Sequence, residues 1–172
     1  MLQVGQKAPS FELPGVAGGH IDAHTLDEYT ENGWTVVLVF YPFDFHPSCT
    51  TQLCLLRDSE DLSLVENTVV LGISTDSVYS HQAFAEQHRV NFPLLSDSDA
   101  SVSQGYGVLV EEIEGHRDVP RSALFVVDPD SEIQYAWQSD APESYPDLAA
   151  VRKATNCQGG RCTIPEGKSH LV

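Results

Sequence analysis

The run Val36–Tyr41, VVLVFY, is unbroken, apolar and rich in β-branched residues. Such a run marks a strand buried on both faces, and Val69–Ser74 (VVLGIS) is a second of the same kind. Between them a helix is expected from Pro47 to Leu64, with proline pre-set for the first turn and Leu53, Leu56 and Leu64 as apolar positions. Ser77–His88, capped by Asp76 or Ser77, and Asp99–Tyr106, stopped by Gly105 and Gly107, read as two further helices. Ala123–Val127 and Ile133–Trp137 read as strands joined by a turn over Asp128, Pro129, Asp130 and Ser131, hence a hairpin. A last helix is expected from Tyr145 to Thr155. Strands alternating with helices and closed by a hairpin define an α/β fold with a mixed central β-sheet flanked by helices. With no internal repeat or linker, residues 1–155 read as one domain and residues 156–172 as a C-terminal cysteine-containing tail.

Charge narrows the choice of partner. The 172 residues carry 25 acidic against 9 basic side chains, a formal net charge of -16. Self-repulsion then argues against nucleic acid or an anionic membrane as a partner. At 41% hydrophobic residues the chain still supports a core, so the charge belongs to a folded surface. Lysine is confined to Lys7, Lys153 and Lys168. A lysine-poor, acid-rich but well-cored composition suits a halophilic protein, because concentrated salt screens surface repulsion; an ordinary acidic protein is the alternative. The N-terminus lacks the charged-then-apolar layout of a signal peptide, and the longest apolar stretch, from Trp34 to Tyr41, ends at Pro42, so a cytoplasmic location is expected. In a reducing compartment four cysteines point to catalysis or metal binding before structural disulfides.

The chemistry concentrates in Phe40–Asp58, FYPFDFHPSCTTQLCLLRD. Cys49 follows a buried strand and, through Pro47, falls in the first turn of a helix. Unpaired backbone N–H groups and the helix dipole favour an anion there, so the thiolate of Cys49 should be stabilised and nucleophilic. Cys54 lies five residues on. In an intact helix that spacing gives about 7.5 Å of rise and about 140° of rotation, more than the roughly 6.8 Å of Cα separation a disulfide bridges. Bonding the two sulfurs therefore requires the first turns to unwind.

The same segment resembles the active-site region of the peroxiredoxins, the AhpC/TSA family, and within it the peroxiredoxin Q or bacterioferritin-comigratory-protein subfamily. The family motif Pro-x-x-x-Thr-x-x-Cys is matched by Pro42 and Cys49, with His46 standing in place of the threonine. VGQKAPSFELPG, TVVLVFYP, FPLLSD and VPRSALFVVDPD extend the resemblance over about residues 2–155, and Arg121 falls on the family's active-site arginine. The resemblance implies a thioredoxin-like fold that reduces hydrogen peroxide and organic hydroperoxides with no metal or organic cofactor. Cys49 would be the peroxidatic cysteine, attacking the O–O bond to give a sulfenic acid. Arg121 would hold the thiolate ionised and stabilise the leaving oxygen, and Pro42 would shield the sulfenic acid from water. Cys54 would be the resolving cysteine, and a thioredoxin-type dithiol would reduce the resulting disulfide. The assembly is expected to be a monomer or homodimer.

His46 brings an imidazole where the family has a hydroxyl, so it is expected to contact the site and, when protonated, to favour the thiolate; the alternative is that it swings out and fills space. With Arg121 and the helix terminus it should make the site locally electropositive. Cys157 and Cys162, in CQGGRC, repeat the five-residue spacing around two glycines and are read first as an auxiliary redox pair, with a structural disulfide or a metal clip as alternatives. His81 and His88 share a helix face, expected to be solvated. His20, His24, His116 and His170 read as surface residues, and Glu111, Glu112 and Glu114 as a solvated loop or edge strand. A thioredoxin-fold redox sensor, with a disulfide switch as its output, is the rival function.

Overall fold

The computed structural model describes residues 1–63, 65–141, 143–158 and 161–162. Its elements run β1 (Glu12–Ala17), β2 (His20–Thr25), α1 (Leu26–Glu31), β3 (Thr35–Phe40), α2 (Pro47–Arg57), α3 (Glu60–Ser63), β4 (Thr68–Ser74) and α4 (Val78–His88). After them come β5 (Leu94–Ser96), α5 (Ser101–Gly105), β6 (Leu109–Ile113), β7 (His116–Pro120), β8 (Ala123–Val127), β9 (Ile133–Gln138) and α6 (Leu148–Thr155), followed by two-residue strands β10 (Cys157–Gln158) and β11 (Arg161–Cys162).

Seven strands form one mixed sheet in the order β2-β1-β5-β4-β3-β8-β9. The β3–β4 and β4–β5 pairs are parallel, while β8 is antiparallel to both β3 and β9. Every residue of β3 is buried, as its sequence requires. Alternation sends Val36, Leu38 and Phe40 to one face, against Leu26 of α1 and the Tyr106 ring beyond α5. Val37, Val39 and Tyr41 face the other way, against Leu53 and Leu56 of α2, Phe84 of α4 and Val151 of α6. Each such enclosed side chain contributes about 1.5–3 kcal/mol, so β3 is held by burial on both of its faces. Gly72 of β4 permits this packing, since a Cβ there would stand 2.6 Å from a Leu94 methyl carbon.

Several expectations are corrected. The helix from Pro47 ends at Arg57, where the Asp58 N–H turns back to the Cys54 and Leu56 carbonyls and Ser59 caps a new start through the Leu62 N–H; Leu64 lies outside the described residues. The last helix begins at Leu148 because Asp147 accepts the Ala149 and Ala150 N–H groups. His81 and His88 do share a face with Phe84, but that face packs inward and His81 is fully enclosed. The β1–β2 hairpin and the short β5 have no counterpart in the sequence reading: Pro14 and Gly15 interrupt the β1 pattern, and β5 has only three residues. Glu111 and Glu112 do lie exposed on a hairpin strand, β6, which pairs with β7 apart from the main sheet.

Candidate active site

The loop from Pro42 to His46 runs from the end of β3 to the start of α2. Pro47 occupies the first turn of α2, and His46 stands at the N-cap with its side chain making no capping bond. The His46 carbonyl accepts the Thr50 N–H at 2.8 Å, which fixes that turn. Cys49, in the same turn, is only 2% exposed. Burial pushes its thiol up, from an ordinary value of 9.0 to about 11, while hydrogen bonds from the Phe43 N–H and the Ser48 side chain act in the opposite direction. The carboxylates of Asp76 and Asp44 add smaller upward contributions. A helix start thus supplies thiolate-favouring groups, but it sits deep enough for desolvation to dominate.

Cys49 opens into a cavity of about 370 Å³ whose wall includes Pro42, Phe43, His46, Glu114 and Arg121. Arg121 is carried between β7 and β8, its backbone N–H bonded to the Val108 carbonyl at 3.0 Å. Among the described residues no carboxylate lies within ion-pair distance of its guanidinium. His46 engages neighbours on both ring nitrogens: Nδ1 is 3.1 Å from the Ser48 hydroxyl and Nε2 is 3.6 Å from a Glu114 carboxylate oxygen. The His116 ring lies 4.8 Å from that of Phe43, so the β6–β7 turn folds over the cavity mouth. Glu114 and Asp140 both line the cavity, so the lining is mixed in charge where the sequence suggested an electropositive site.

Pro42, His46, Cys49 and Arg121 are therefore brought together in one cavity. Cys54 is half-buried further along α2, and both thiols are free while the helix is continuous. Cys157 and Cys162 stand directly opposite one another in the β10–β11 pairing; their side chains and the intervening Gly159 and Gly160 lie outside the described residues. Sequence reasoning missed Glu114 as part of the cavity wall, because only the placement of the β6–β7 hairpin brings it there.

A buried strand that delivers a cysteine to the first turn of a helix, on a mixed sheet with helices on both faces, defines a thiol-redox protein of thioredoxin-like fold. The AhpC/TSA family model matches residues 4–136, and the chain belongs to that family. It is 38% identical over 139 residues to the putative peroxiredoxin bcp of Coxiella burnetii, covering 79% of this chain and 88% of that protein. It is 35% identical over 149 residues to the thioredoxin peroxidase of Fasciola hepatica, covering 83% of this chain and 74% of that one. The crystal structure of peroxidoxin BcpB from Mycobacterium tuberculosis superimposes with a TM-score of 0.74 at 29% identity, over 90% of this chain and 95% of that one.

Proposed function

We propose that the protein is a thiol-dependent peroxidase for hydrogen peroxide and organic hydroperoxides, with Cys49 as the reacting thiol. The observation that carries this reading is the cavity that Cys49 shares with Arg121 at the start of α2. The Cys49 thiolate attacks one peroxide oxygen; an S–O bond forms, the O–O bond breaks, and the departing oxygen leaves as water or alcohol after taking a proton. Arg121, with no carboxylate within ion-pair distance among the described residues, offers its N–H groups to the charge growing on that oxygen, and Pro42 limits water's access to the sulfenic acid. Cys54 then attacks the sulfenic sulfur and expels water, leaving a Cys49–Cys54 disulfide once the first turns of α2 have unwound. Two electrons from a thioredoxin-type dithiol restore both thiols, a reductant supported by the naming of the Fasciola relative.

The tail thiols fit an auxiliary redox pair. Opposed positions of an antiparallel pair hold Cα atoms about 4.5–5.5 Å apart, within disulfide range, and Cys157 faces Cys162 in that way.

Peroxide consumption with a dithiol reductant tests the assignment. Cys49→Ser should abolish turnover, and Cys54→Ser should turn over slowly and accumulate sulfinic acid. Wild-type activity in Cys49→Ser would overturn the reading. Consumption that stops at one equivalent despite a competent thioredoxin would make the disulfide switch itself the output.

A further inference from the structure

Beneath the Pro42–His46 loop lies a polar cluster that the chemistry above leaves unused. Asp44 is 8% exposed and His81, from α4, is fully enclosed. One carboxylate oxygen of Asp44 accepts the Tyr41 hydroxyl at 2.8 Å; the other accepts the Ser80 hydroxyl at 2.8 Å and stands 2.7 Å from His81 Nδ1. His81 Nε2 is 3.0 Å from the Leu95 carbonyl oxygen. A carbonyl only accepts, so Nε2 carries a proton. The short Nδ1 contact holds a second proton, on the ring or on the carboxyl, and either way the pair is neutral as a whole.

The cluster touches the site through the backbone. Asp44 directly follows Phe43, whose N–H reaches the Cys49 sulfur, and its own N–H is donated to Asp76 at 2.7 Å. It directly precedes Phe45, which holds a φ of 67° that a bulky side chain adopts only when its surroundings over-determine it. One face of α4 supplies that restraint twice: His81 grips Asp44, and the Phe84 ring packs edge-on against Phe45 at 5.2 Å.

We propose that His81 is a positioning residue for this site: it seats the loop so that the Phe43 N–H meets the Cys49 sulfur, and it cancels the Asp44 charge behind that sulfur. The inference rests on Cys49 being the reacting thiol. Around His81 the facing groups are Asp44, Tyr41, Ser80 and the Leu95 carbonyl, with Asp76 nearby; Arg121 and His46 face the cavity side of Cys49. Left without its partner, Asp44 would press its charge on a sulfur it already disfavours as an anion.

Iodoacetamide alkylation across pH 7–11 reads the Cys49 thiolate without any peroxide, so its result stands apart from the peroxidase assignment. The background is Cys54→Ser, Cys157→Ser and Cys162→Ser, which leaves Cys49 as the sole thiol. His81→Gln should slow alkylation at pH 8 about tenfold, one unit of displacement, and Asp44→Asn with His81→Gln should recover to within about threefold of the background rate. A purely structural pair would lower the melting temperature but leave the alkylation profile of the folded protein in place; that result, or a double variant as slow as the single, overturns the proposal. Should His81→Gln fail to fold, Tyr41→Phe with Ser80→Ala strips two donors from Asp44 and leaves the ring. It must then slow alkylation at least threefold, and an unchanged rate overturns the proposal equally.

Discussion

Cys49 is under opposing influences. Burial raises its proton affinity; the Phe43 N–H and the Ser48 side chain lower it, and Arg121 waits in the same cavity. The thiolate is the nucleophile, so the peroxide rate should climb with pH across the neutral range as the anion fills. If a protonated His46 governed the rate instead, activity would fall as the imidazole deprotonates. Because burial raises the Cys49 thiol to about 11, the rising profile is expected, and stopped-flow rates for wild type and His46→Thr distinguish the two. A falling wild-type profile that His46→Thr abolishes would establish the charge role. Folding linkage has its own sign: a thiol raised from 9.0 to about 11 contributes stability that is complete below pH 9 and is lost as pH rises through the folded value.

At the scale of elements, the proposed cycle asks α2 to serve two states. Intact, it holds Cys49 in the cavity and buries Leu53 and Leu56 against β3; in the proposed disulfide form it would give up its first turns. Amide exchange in the Cys49–Cys54 disulfide form should therefore accelerate over the first turns of α2, while β3 and β4 remain protected. Uniform protection of α2 after oxidation would mean that the two thiols do not pair. The buried strand and the helix start were legible beforehand, because Val36–Tyr41 reads as a doubly covered strand and Pro47 is pre-set for a first helical turn. His81 was not legible. Its spacing from His88 identified a shared helix face, but whether that face is wet depends on Asp44, which lies 37 positions earlier in the chain. The β6–β7 hairpin was likewise opaque, since exposed glutamates look the same over an active-site mouth as on any solvated edge.

For the molecule as a whole, 25 acidic side chains stand against 9 basic ones, so carboxylates far outnumber their possible lysine and arginine countercharges even where pairs such as Arg57–Asp58 form. Exposed repulsion of that kind is screened within a few ångströms at molar salt. We expect the melting temperature to rise by roughly 5 °C between 0.1 and 2 M KCl, about what 2 kcal/mol brings in a chain of this size. A flat or falling curve would identify an ordinary acidic protein. None of the described helices is long and apolar enough to cross a membrane. The β6–β7 pair forms a sheet of its own, bonded to no strand of the seven-stranded one, yet it supplies Ile113 and Glu114 to the cavity wall. The doorway is thus built separately from the room: its turn could be lengthened, shortened or recoloured by mutation, changing which hydroperoxides are admitted, while the strand and helix that hold the sulfur stay as they are.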